Sequence, residues 1–117
     1  MHVCLVTVPS PYLLDDRALP WLGPLYVAAC LREQGHQVRI LDLAGDRNFL
    51  ATASKDAREI GAGCYGLTAT APDYPLALQI REAIRAASPG VRIILGGSHC
   101  SMSPSRCDDG GWDAIVA

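Results

Sequence analysis

The stretch Val91-Arg92-Ile93-Ile94-Leu95-Gly96-Gly97-Ser98-His99 decides how the chain is read. Its first five residues form the most strand-like run of the sequence, short and largely apolar, as expected of a strand covered on both faces. Gly96 and Gly97 break that run, and Pro89 and Gly90 just before it close a segment of another period. There Leu76, Ile80, Ala83, Ile84 and Ala87 recur at helical spacing behind Asp73, a residue type that caps helices.

Outward from this helix and strand the same alternation repeats. Gly61 and Gly63 lead into a strand over residues 64–68, preceded by a helix over 48–60. Further upstream, residues 37–43 alternate Val38, Ile40 and Leu41 with polar side chains, which predicts a second strand nearer the sheet edge. Pro24 opens a helix that runs through Arg32 to Gln34; Leu22, Leu25, Ala29 and Cys30 share its expected inner face, and Gly35 supplies a left-handed stop. The first strand is Val3-Cys4-Leu5-Val6-Thr7-Val8, ended by Pro9 and Pro11, and residues 112–116 begin a fifth.

Strands separated by helix-length segments are βαβ units, and right-handed crossovers assemble them into a parallel sheet with helices on both faces. The expected fold is therefore α/β and flavodoxin-like (Rossmann-like): five parallel strands in the order 2-1-3-4-5. That order reverses the chain's direction between strands one and three, so a crevice opens at the carboxyl edge. A ligand there should meet residues 9–23, 68–74 and 96–103. We expect one domain over residues 1–117, cut from or truncated relative to a larger enzyme.

Composition narrows the partners. Only 19% of residues are charged and the formal charge is -2, so no basic field exists to hold nucleic acid. No apolar run approaches the ~20 residues that cross a bilayer. Strand-like sequence starts at once, without a leader segment, and the expected location is cytoplasmic, with no membrane partner. Five cysteines without close pairing, three of them in apolar stretches, suit a reducing compartment.

Two signals for chemistry meet at the predicted crevice. Gly96 and Gly97 lack the Cβ atoms that would keep a bulky ligand off the backbone, although a tight turn needs glycines equally. Thr68-Ala69-Thr70 follows strand three, so both hydroxyls are expected to face the crevice, where such groups bond a ligand or serve a turn. Neither a Gly-x-Gly-x-x-Gly run nor a phosphate loop occurs, which removes the usual support for nicotinamide or nucleoside triphosphate binding. A phosphoacceptor receiver is disfavoured too: Asp15 and Asp16 lie well past strand one, and no lysine follows strand five.

The segments Pro20-Trp21-Leu22-Gly23-Pro24-Leu25-Tyr26-Val27-Ala28-Ala29-Cys30-Leu31-Arg32, Gly35-His36-Gln37-Val38, Ile40-Leu41-Asp42, Tyr65-Gly66-Leu67-Thr68-Ala69-Thr70 and Leu95-Gly96-Gly97-Ser98-His99 resemble, in this order, the N-terminal cobalamin-binding domain of cobalamin-dependent radical S-adenosylmethionine enzymes. The resemblance covers nearly the whole chain. It implies cobalamin, with its cobalt, as cofactor. Thr68 stands where cobalamin domains carry a serine after strand three, Thr70 replaces their leucine, and Gly96 and Gly97 match their glycine pair. The Asp-x-His-x-x-Gly motif that supplies a cobalt ligand in other cobalamin domains is missing: the chain reads Pro9-Ser10-Pro11-Tyr12-Leu13-Leu14-Asp15-Asp16.

The resemblance thus implies a base-off corrinoid without a histidine ligand. Tyr12, Leu13 and Trp21 are candidates for its lower face, though each equally suits packing under the first loop. Pro9, Leu22, Ala69, Tyr74, Ser98 and His99 complete the expected cofactor contacts; His99 is expected to bond its loop rather than cobalt. No residue of this chain is expected to be catalytic or to ligate metal. Cys100 and Cys107 fit neither a zinc site nor a radical S-adenosylmethionine cluster motif. S-adenosylmethionine and the 4Fe-4S cluster are therefore assigned to a barrel domain of the parent, a methyltransferase or related enzyme, partnered in cis or trans. The alternative is a flavodoxin-like scaffold or interaction domain that no longer binds cobalamin.

Overall fold

A computed structural model describes residues 1–10 and 22–116. Five strands form one parallel sheet in the order β2-β1-β3-β4-β5, as the strand and helix alternation predicts. They are β1 (His2–Thr7), β2 (Gln37–Asp42), β3 (Cys64–Thr68), β4 (Arg92–Gly96) and β5 (Ala114–Ile115), with β2 at one edge. The crossovers contain α1 (Leu22–Glu33), α2 (Phe49–Glu59) and α3 (Tyr74–Ala87), while α4 (Ser98–Met102) and α5 (Pro104–Cys107) lie between β4 and β5. These two short helices occupy a stretch read from sequence as loop, because neither is long enough to show a period.

Side chains alternate across the sheet and divide the core in two. Cys4, Val6 and Val8, with Tyr65, Leu67, Ile93 and Leu95, pack against Ala53 and Ala57 of α2 and Ala77, Ile80 and Ile84 of α3. On the other face Val3, Leu5, Val38 and Cys64 pack beneath Ala28 of α1, with Leu31 and Ile94 beside them.

The expected inner face of α1 is corrected here. Ala28 is the buried residue among the described side chains of that helix, whereas Leu25 is 47% and Tyr26 73% exposed, and Ala29 and Cys30 are also exposed. A helix apolar on nearly all sides carries little information about which side turns inward. Cys30 is accordingly the one exposed cysteine; the other four are buried. Gly35, at φ 88°, ends the α1 turn as expected, allowing His36 N–H to reach the Leu31 carbonyl at 3.1 Å.

At the amino edge, opposite the predicted crevice, a partly buried ion pair ties the sheet to α2. Arg39 donates to both carboxylate oxygens of Asp56, at 2.7 and 2.9 Å, and Tyr65 Oη donates to the same carboxylate at 2.7 Å. Burial alone would raise the Asp56 pKa, but the Arg39 and Tyr65 bonds outweigh it and hold the carboxyl below its ordinary value. Burial, followed by the bond to Asp56, pushes the Tyr65 phenol upward.

Candidate functional site: a cavity under the first helix

Register places Leu5, Gly66 and Ile94 in one row across β1, β3 and β4, and Thr7, Thr68 and Gly96 in the next row toward the carboxyl edge. Both rows face α1. Gly66 puts no side chain between Leu5 and Ile94, although the tip of Leu5 leans over its position, and Gly96 leaves open space in the next row. A Cβ added at Gly96 would meet nothing within 4 Å. Over these rows lies a cavity of ≈ 290 Å³, open to solvent, roofed by Gly23, Pro24 and Val27 of α1 and bordered by Val116.

The cavity is almost entirely apolar. Central strands spend their backbone groups in the ladders, so the sheet surface offers little hydrogen bonding. Among the described lining residues, Thr68 is the one with a polar side chain. A volume near the lower end of the range for small-molecule sites has room for a two-ring aromatic group.

Sequence reasoning missed Gly66, although a signal existed: period two from Thr68 places Gly66 on the same face. It also missed Leu5, Val27 and Ile94, which any apolar pattern assigns to a core. The cavity exists because α1 shields only part of this sheet face.

The expected contacts divide by where the structure places them. Thr68 and Gly96 line the cavity. Ala69 and Gly97 support it from behind: Ala69 N–H donates to the Gly96 carbonyl at 3.4 Å, and His99 N–H to the Ala69 carbonyl at 3.3 Å, joining the loops after β3 and β4. Gly97 has φ +102°, and a Cβ there would lie 2.5 Å from Thr68 Oγ1 and 2.9 Å from the Ala69 nitrogen. The loop junction, rather than open space for a ligand, explains this glycine.

Thr70, Tyr74 and His99 are not among the described lining residues. Thr70 Oγ1 donates to Asp73 Oδ2 at 2.7 Å, within the turn that leads into α3. Asp73 is 2% exposed, and its Oδ1 has no hydrogen-bond partner among the described residues. The Tyr74 and His99 rings lie 4.7 Å apart. Tyr74 Oη accepts from Trp112 Nε1 at 3.1 Å, and the Arg81 guanidinium sits over the Trp112 ring at 4.7 Å, so this chain of rings belongs to the α3 side of the sheet. Pro9 is buried just beyond the carboxyl end of β1 and is not among the cavity's lining residues. Tyr12, Leu13 and Trp21, and the side chains of Leu22 and Ser98, lie outside the described residues.

The match to a known family covers residues 17–117, and the family is the B12 binding domain. The chain belongs to that family. It is therefore a cobalamin-binding domain on a flavodoxin-like sheet. No curated protein matches it.

For a B12-binding domain the cavity has a suitable place and character. It opens at the carboxyl edge beside the β1–β3 reversal, where ligands of open parallel sheets bind. Gly66 and Gly96 leave its floor without side chains there, and Thr68 is its polar residue among the described lining. The described residues hold no cluster of three or more His, Cys, Asp or Glu side chains suited to a metal ion, and no helix among them is long and apolar enough to cross a membrane.

Proposed function

We propose that this domain holds cobalamin base-off, with the detached nucleotide base in the cavity under α1 and no protein histidine as lower ligand. In this reading the domain serves a radical S-adenosylmethionine enzyme, such as a methyltransferase, and is not catalytic by itself. Cobalamin supplies a cobalt centre able to carry a methyl group. The cavity lined by Thr68, Gly66 and Gly96 carries the proposal, since it is small, apolar and placed beside the crevice.

The positions of the three histidines support it. His2 begins β1 and His36 directly precedes β2, so both belong to the amino edge, remote from the crevice. His99 packs its ring against Tyr74, tilted by 50°, on the α3 side. The loop between β1 and α1 contains no histidine. Exposed Leu25, Tyr26 and Val27 on α1 form an apolar surface next to the cavity, suited to docking of the catalytic barrel in cis or trans. That barrel would hold S-adenosylmethionine and the 4Fe-4S cluster.

Reconstitution tests the reading. The purified domain is incubated with hydroxocobalamin, desalted, and its visible spectrum recorded. Retained corrinoid absorbance is expected, and its loss in Gly96→Leu identifies the cavity. Cofactor retained equally by wild type and a folded Gly96→Leu variant overturns the placement.

A further inference from the structure

Cobamides differ chiefly in the base of their nucleotide, and the lining of this cavity discriminates among such bases. We propose that the domain selects its corrinoid by that base, accepting dimethylbenzimidazole in preference to a purine, with Gly66 setting the depth of the base site. This rests on the proposal that the base occupies the cavity.

Hydrogen-bonding capacity decides the preference. Dimethylbenzimidazole presents two methyl groups and, once detached from cobalt, one ring nitrogen that accepts a hydrogen bond. The described cavity matches that inventory with apolar walls at Leu5, Val27 and Ile94 and one side-chain hydroxyl, at Thr68. Adenine brings an exocyclic amine and several ring nitrogens. Among the described residues one hydroxyl cannot satisfy them all, and the ladder-paired backbone beneath adds little. Polar atoms buried without partners are costly, and a site that leaves them unpaired rejects their bearer more strongly than one that differs by a methyl group.

Depth comes from one missing side chain. Gly66 lies between Leu5 and Ile94 in the same row, and a Cβ there would point toward Leu5, 3.0 Å from its Cδ2. The obstructing atom is the tip of a flexible side chain, so Gly66→Ala can be accommodated by Leu5 moving toward the cavity. The variant keeps the fold and makes the site shallower.

Equilibrium dialysis of wild type and Gly66→Ala against three corrinoids provides the test: cobalamin, the cobamide whose base is adenine, and cobinamide, which has no nucleotide. Wild type is expected to bind cobalamin about tenfold or more tightly than the adenine form. Gly66→Ala is expected to lose several-fold for cobalamin and nothing for cobinamide. Equal affinity for the two cobamides overturns base selection while leaving base insertion intact. If cobinamide binds as well as cobalamin, the base does not occupy the cavity, and selection falls with it. Failure of all three to bind overturns corrinoid binding by the isolated domain and therefore both proposals. Circular dichroism verifies that Gly66→Ala is folded; should it unfold, the wild-type affinities alone decide selection and Leu5→Phe replaces it as the probe of depth.

Discussion

Thr68 and Gly96 are register partners on β3 and β4, and both face the cavity under α1. The Thr68 hydroxyl lies against the loop at Gly97, while the side-chain position of Gly96 has no atom within 4 Å. This pairing creates an apolar recess with a single hydrogen-bonding side chain among its described residues, and a retained nucleotide base should respond to both positions separately.

Thr68→Val keeps the shape and removes the hydrogen bond. Cobalamin affinity is expected to fall by about 1 kcal/mol, roughly fivefold, the usual net value of one such bond. Gly96→Leu keeps the hydroxyl and fills the recess, so binding should fall by about 1–3 kcal/mol or more. Titration followed by the corrinoid spectrum measures both; thermal unfolding should show little change, because a Cβ at Gly96 meets no atom within 4 Å.

Gly97 is expected to behave differently from its neighbour. At φ +102°, with Thr68 Oγ1 2.5 Å from any added Cβ, even alanine strains the loop junction. Gly97→Ala should destabilise the apo domain by about 1–3 kcal/mol. Urea unfolding without cofactor checks this, and unchanged stability would contradict the role assigned to the glycine.

Acid should weaken the fold through the carboxylates held below their ordinary range. Asp56 lies there because its bonds to Arg39 and Tyr65 outweigh burial, Asp109 through Arg81, and Asp113 through the Ile93 backbone N–H. Their unfolded forms take up protons first as pH falls. The stabilisation is therefore complete above about pH 5 and is lost progressively as pH drops through about 4 toward the depressed folded values. Urea midpoints from pH 7 to pH 3 should trace that loss. Asp56→Asn should cost about 2–4 kcal/mol at pH 7 and flatten the acid limb.

Bound cob(II)alamin is expected to show no nitrogen hyperfine splitting from a lower axial ligand, and His99→Ala should leave the paramagnetic resonance spectrum unchanged. His99 is engaged with Tyr74 at 4.7 Å between ring centres. A splitting that changes with isotopically labelled histidine and disappears in His99→Ala would identify His99 as the ligand instead.

Much of this architecture is legible in the order of residues. Short apolar runs ended by glycine or proline, alternating with helical spacing, determine five parallel strands, and the crossover rule then places the crevice at their carboxyl edge. Thr68 and Gly96 could be assigned to that edge because each ends a recognisable strand. Packing alone decided which atoms face the recess. Period could not choose the inner side of α1, whose residues are apolar nearly all round, nor distinguish Gly96 from Gly97, whose missing side chains serve different ends. Nor could it show Thr70 turning to Asp73 or His99 to Tyr74. Sequence period determines which side chains share a face of one element; the cavity comes from where α1 and three neighbouring strands meet, and that relation exists only once the chain has folded.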